Sequence, residues 1–149
     1  HARPGARRFS EKAPSLILDA GGVACVLAEQ NTREGILDAL KNRRCYATTS
    51  ARIVVDFSLQ DQPMGQVTPW NKKLSGSYEI HGTGRIEHIE IFRGDLLEKT
   101  VKTVLSAKPA DEDASGSWKD TNPPEKAFYY LRVIQQDGEM AWSSPIWVE

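Results

Sequence analysis

A chain of 149 residues, 40% apolar and 26% charged, has the size of one ordinary domain and enough apolar side chains to bury a core without metal or disulfide staples. A formal net charge of −1 gives no global field for nucleic acid or an anionic membrane, and no apolar run approaches the length of a bilayer span. Neither a nucleic-acid partner nor a membrane partner is expected.

Residues 1–14 combine Arg3, Arg7, Arg8 and Lys12 with Pro4-Gly5 and Pro14, a loop composition, and the start HARPG reads as a cut edge. Residues 15–28 hold two apolar runs split by Gly21-Gly22, and the second, Val23 to Ala28, has the length of a buried strand. A helix is predicted from Asn31 to about Arg43, with Asn31 as cap and Glu34 at the third helical position completing a capping box. Its apolar stripe is Ile36, Leu37 and Leu40, and Asn42 is expected in the left-handed conformation at its end. An isolated helix this short is marginal in water, so the stripe is expected to pack on the β-domain or on a second copy, forming a homodimer through the 31–43 face. Strand then helix is a βα unit, which cannot bury both its faces alone. Cys25 and Cys45 are expected as buried free thiols and indicate no compartment.

From Ala51 onward the signals are β. Ile53, Val55, Phe57 and Leu59 alternate with Val54, Asp56 and Ser58, the period of a half-buried strand. Further strands are predicted at 64–68, 75–81, 85–93 and 96–105, with Gly82-Thr83-Gly84 closing a hairpin. Residues 106–126 read as a long surface loop tacked down by Trp118. Two last strands, 127–136 and 139–147, flank Asp137-Gly138, a type I′ hairpin signal. That turn would set Val133 opposite Trp142 and Gln135 opposite Met140, with Tyr129, Leu131, Val133, Met140 and Trp142 on one core face. About seven short strands with regular turns predict an antiparallel sandwich of the immunoglobulin type.

The segments HARPG, GGVACVLAEQNTREGILDALKNRRCYATTSARIVVDF, PMG, RIEHIEIFRG and YYLRVIQQDGEMAWSSPIWV, in that order, carry a family resemblance. The chain resembles the C-terminal end of proteins related to the PHP (polymerase and histidinol phosphatase) metal-dependent phosphoesterases, in a bacterial branch that ends in a β-sandwich. In that family an Asp-x-His at a strand end contributes to a multinuclear metal site in a distorted β/α barrel. The resemblance puts His1 in that metal site and Ala2 to Gly5 on its rim. Near that site Arg3, with Arg7, Arg8, Arg43 and Arg44, is a candidate contact for a phosphate ester, and a solvated terminus and a helix-dipole partner explain the same cations as well. One histidine cannot assemble a hydrolytic centre, so no catalytic residue is expected in this chain. A divalent metal is implied for the full-length parent, and no cofactor for this fragment. The implied partner is the missing N-terminal barrel.

Other constellations favour ordinary roles. A hairpin through residues 82–84 would pair His81 with Arg85 and His88 with Tyr78, placing the histidines on opposite faces of one sheet. Asp111-Glu112-Asp113 lacks calcium-loop spacing and reads as a solvated charge run. Tyr78, Trp118, Tyr129, Tyr130, Trp142 and Trp147 are expected to pack rather than to form a sugar platform. The fold expected is mainly β: residues 1–46 the last βα unit of a PHP-type barrel, residues 47–149 an antiparallel immunoglobulin-like sandwich. The function expected is that of an accessory β-sandwich fragment of a metal-dependent phosphoesterase or hydrolase, inactive alone; the alternative is a carbohydrate- or protein-binding module.

Overall fold

The computed structural model describes residues 21–149, so the expectations for His1, Arg3 and the rest of the N-terminal segment fall outside the described residues. The elements run β1 (Val23–Val26), α1 (Arg33–Lys41), β2 (Cys45–Thr48), β3 (Val54–Leu59), β4 (Gln62–Pro63), β5 (Val67–Thr68) and β6 (Leu74–His81). They continue with β7 (Ile86–Asp95), β8 (Thr100–Ala107), β9 (Asp113–Asp120), β10 (Ala127–Gln135), β11 (Met140–Ser143) and β12 (Ile146–Val148). The protein is mainly β, a sandwich of two sheets.

The smaller sheet is antiparallel in the order β4-β3-β6-β9. In the larger, β1, β2, β11 and β10 lie side by side, and β7 then β8 extend it beyond β10. The strand β12 continues the β11 edge of β10 and pairs in parallel with β5. The expected domain boundary at 46/47 falls inside β2, which pairs with β1 on one side and β11 on the other.

The period-two pattern of β3 has its predicted result: Ile53, Val55, Phe57 and Leu59 are all buried, while Val54 and Asp56 face water. From the larger sheet Ile89, Ile91, Tyr129, Leu131, Val133, Ile146 and Val148 meet them in one core. Three rings cross that core. Phe57 stacks on Trp118 with centroids 5.8 Å apart, and Trp118 meets Tyr129 at 5.3 Å.

Three β expectations are corrected. First, the two strands around residues 82–84 do not form a hairpin: β6 lies in the small sheet and β7 in the large one. The connecting loop is captured by other segments instead, with Gly82 N–H donating to the Glu112 carbonyl (2.8 Å) and Thr83 N–H to Gln135 Oε1 (2.9 Å). Second, the predicted loop 106–126 contains β9, an edge strand paired with β6 along its whole length. Its outward residues are Asp113, Ser115, Ser117 and Lys119, and its inward ones include Gly116, so low β-propensity hid an alternation that the β6 edge enforces.

Third, the β10–β11 connection is not a type I′ turn. Of Asp137 and Gly138 only the glycine has positive φ, at 88°, and Gln135 N–H bonds the Glu139 carbonyl at 2.8 Å. The loop therefore holds three residues with a left-handed glycine, the geometry of a turn with a G1 bulge. One extra loop residue shifts the pairing to Val133 opposite Ala141, so Ala141 and Ser143 point inward in place of Met140 and Trp142.

The helix departs from expectation at both ends. Its cap is Thr32, in extended conformation, whose Oγ1 accepts from Gly35 N–H at 3.1 Å; neither Asn31 nor Glu34 takes the expected capping-box position. A side chain at residue 35 would meet the Gln30 carbonyl at 2.5 Å, so the tight approach to the helix requires glycine there. At the other end Arg43, not Asn42, is left-handed (φ 55°), and the Arg43 and Arg44 N–H groups bond the Leu40 and Ala39 carbonyls in a Schellman pattern.

This ending sets the rotation of α1. The side it buries carries Ala39, fully inaccessible, with half-buried Ile36 near it on the helical wheel, whereas Leu37 and Leu40 are each 44% exposed. Of the predicted stripe, therefore, only Ile36 lies on the packed side, and Leu37 and Leu40 do not. Leu40→Ala is expected to change stability by no more than about 0.5 kcal/mol in urea unfolding, because no cavity is made at an exposed site.

Candidate interaction surfaces

Among the described residues no group of three or more His, Cys, Asp or Glu side chains is placed to hold a metal. Of the two described histidines, His81 has the more carboxylates around it. Its Nδ1 lies 3.0 Å from Asp113 Oδ1, across the β6–β9 ladder, and its Nε2 lies 3.2 Å from Glu79 Oε1. All three side chains are exposed on the outer face of the small sheet, while His88 belongs to the other sheet, so His81 and His88 share no site.

The hydrogen bond to Asp113 raises the His81 pKa above its ordinary value, helped by both carboxylate charges. A raised folded pKa means stability that is full below the ordinary histidine value and gone once the pH passes the raised one. An NMR titration is expected to put the His81 midpoint above that of a model histidine, and Asp113→Asn is expected to bring it back down.

Aromatic side chains line the outer face of the large sheet, but they are engaged with one another. Phe92 and Tyr130 stack with centroids 5.1 Å apart, and Phe128 and Tyr130 at 6.3 Å, each pair inclined by less than 20°. The Arg132 guanidinium lies 4.8 Å from the Phe92 centroid and bonds Glu90 at 2.9 Å. Arg43 covers Trp147 at 5.2 Å. Each of these half-buried rings thus has at least one ring or cation neighbour within the ladder. Trp118 and Tyr129, by contrast, are core residues, as expected.

Cys25 and Cys45 are free and half-buried. Cys25 sits opposite Tyr46 in the β1–β2 ladder, and burial together with the Cys25 thiol pushes the Tyr46 hydroxyl up to about 12. Cys45 faces Ser144 Oγ at 3.6 Å.

The segment β1–α1 presents the other surface. Val23, Leu27, Leu37 and Leu40 are each between 40% and 45% exposed. The helix is fastened by its C-terminal end: Arg43 Nε donates to the Gly65 carbonyl (2.8 Å), Gln66 Nε2 donates to the Asn42 carbonyl (3.1 Å), and Arg43 stacks on Trp147. Arg44 adds ion pairs with Asp38 and Glu29. An ordered helix thus keeps two leucines in solvent, each with on the order of 1 kcal/mol to gain from a covering surface. Sequence reasoning found these leucines but not the role of Arg43, for which no local signal exists, since a non-glycine residue is uncommon at a left-handed helix end.

The sequence-family model described as Protein of unknown function (DUF3604) matches residues 4–62, which include β1, α1, β2 and β3 and end at the first residue of β4. An uncharacterized protein of Chlamydia trachomatis is 37% identical over 142 residues, covering 86% of this chain and 22% of that protein. A protein of Chlamydia muridarum has the same identity and coverage, and one of Chlamydia pneumoniae is 36% identical. Among solved structures, a Niemann-Pick type C2 protein from the Japanese carpenter ant aligns with a TM-score of 0.35 and 9% identity, covering 66% of this chain and 92% of that one. The chain spans only between a fifth and a quarter of the length of the curated relatives it matches, 22% or 23% in each case.

Proposed function

We propose that this chain is a non-catalytic β-sandwich module that caps the catalytic part of a longer polypeptide, docking through the exposed face of β1 and α1. The observation that carries this reading is the helix held by its end with Leu37 and Leu40 each 44% exposed, while Val23 and Leu27 of the same β1–α1 segment are exposed at 45% and 40%. A protein with relatives more than four times the length of the matched region has ample chain to supply the covering surface. The parent is read as a PHP-like metal-dependent phosphoesterase or related hydrolase. That chemistry rests on the resemblance of the segments from HARPG to IWV, with the divalent metal held by the parent's barrel and His1 contributing to it.

The test compares Leu37→Asp/Leu40→Asp with the unmodified sequence, in this chain and in the longer polypeptide. In the chain alone the double substitution is expected to leave the melting temperature in place. In the longer polypeptide it is expected to speed proteolytic release of the sandwich, and hydrolysis of p-nitrophenyl phosphate with Mn²⁺ is expected from the longer polypeptide alone. Unchanged proteolysis would sink the docking reading. Self-association of the isolated chain that depends on these leucines would make a second copy the occupant instead. Saturable glycan binding by the chain would favour the carbohydrate module.

A further inference from the structure

The turn between β2 and β3 carries the chain from the large sheet to the small one, and it closes around a single side chain. Glu139, at the start of the β11 arm, places Oε2 within 3.2 Å of the backbone N–H groups of both Ser50 and Ala51. The hydroxyl of Thr49 donates to the same oxygen, and Ser50 Oγ lies 3.1 Å from Oε1 and 3.2 Å from Oε2. Thr49 is itself oriented, because its Oγ1 accepts from Met140 N–H at 3.0 Å while its own N–H donates to the Met140 carbonyl at 3.0 Å.

Two successive N–H groups converging on one oxygen form an anion-binding concavity, and bonds from neutral donors to a carboxylate are about twice as strong as those between neutral groups. Among the described residues no Lys, Arg or His forms an ion pair with half-buried Glu139, and the hydrogen bonds its carboxylate accepts come from these neutral donors. We infer that residues 49–51 form a carboxylate-binding site whose resident ligand is Glu139, and that this site clamps the sheet-to-sheet crossover to the β10–β11 hairpin. The donors belong to the turn rather than to Glu139. When the side chain is trimmed, a small free carboxylate takes its place.

The probe is formate, compared with chloride at equal ionic strength. Glu139→Ala is expected to melt below the unmodified chain in chloride, and formate is expected to raise its melting temperature saturably while leaving the unmodified chain, whose site is filled, almost unaffected. Adding Ser50→Ala, which removes a hydroxyl donor, is expected to abolish most of the formate response. An equal response to formate in the unmodified chain and in Glu139→Ala would overturn the inference. Glu139→Gln keeps the shape of the side chain should the alanine variant not fold. Its Ser50 and Ala51 amide protons are expected to move upfield on losing the charge-assisted bonds, and unchanged resonances would overturn the inference as well.

Discussion

Asp120→Ala is expected to destabilise the fold by about 3–5 kcal/mol, the cost of leaving a largely buried charge without its partner. Asp120 ends β9 in the small sheet and is itself buried. Its Oδ2 accepts from Arg93 (2.7 Å) on β7 and from the Tyr129 hydroxyl (2.9 Å) on β10, and its Oδ1 accepts from Asn122 N–H at 3.1 Å. One carboxylate therefore ties both sheets together. Burial alone would lower the Arg93 pKa, but the bond and the charge of Asp120 carry it above its ordinary value; burial and Asp120 together push the Tyr129 hydroxyl well above the usual tyrosine range.

The size of the effect follows from what remains after the change. Arg93, with 16% of its side chain exposed, cannot reach water freely, and Tyr129 has no exposure at all. If uncompensated charge is the dominant cost, Asp120→Leu combined with Arg93→Met should cost less than Asp120→Ala alone. Urea unfolding of Asp120→Ala, of the double variant and of its two singles checks this. A double variant as unstable as the sum of its singles would show that packing around the network, not its charge, sets the loss.

Phe57→Ala is the second large effect, with an expected loss of about 3–5 kcal/mol from the transfer and cavity terms together. Phe57 is fully inaccessible and stacks nearly parallel to Trp118, which in turn leans on Tyr129. Removing the ring empties the middle of the sandwich between two strands whose hydrogen-bonded ladder cannot close in to fill it. The near-UV circular dichroism of Trp118 should weaken in parallel with the urea midpoint. Leu40→Ala, a smaller apolar deletion, differs in burial as well: at a 44% exposed site it leaves no cavity.

Of the candidate surfaces, the sequence made the leucines of α1 visible and hid how they are presented. Apolar residues at helical spacing are legible because the helix period is a local property. Which side of that helix meets the sandwich depends on Arg43 reaching Gly65 and Trp147, residues 22 and 104 positions further on. The Glu139 site was hidden for the same reason: Thr49, Ser50 and Ala51 look like an ordinary polar turn until a carboxylate about 90 residues away enters it.

The sequence by itself determined the mainly β character, the inward set of β3, and the inward alternation of Tyr129, Leu131 and Val133, because a strand's period of two belongs to the backbone and needs no partner to be read. It also marked most turns, through Gly, Pro, Asn and Asp. Only the tertiary structure decided which sheet each strand joins, that Asp113–Asp120 is a strand at all, and that the 135–139 loop carries one residue more than a two-residue turn. Those choices are settled by ladders and buried contacts between residues far apart in the chain. A stretch such as DASGSWKD, with little intrinsic preference for a strand, adopts one because the open edge of β6 offers its backbone groups partners, and because Trp118 and Asp120 find their places in the core only in that alternation.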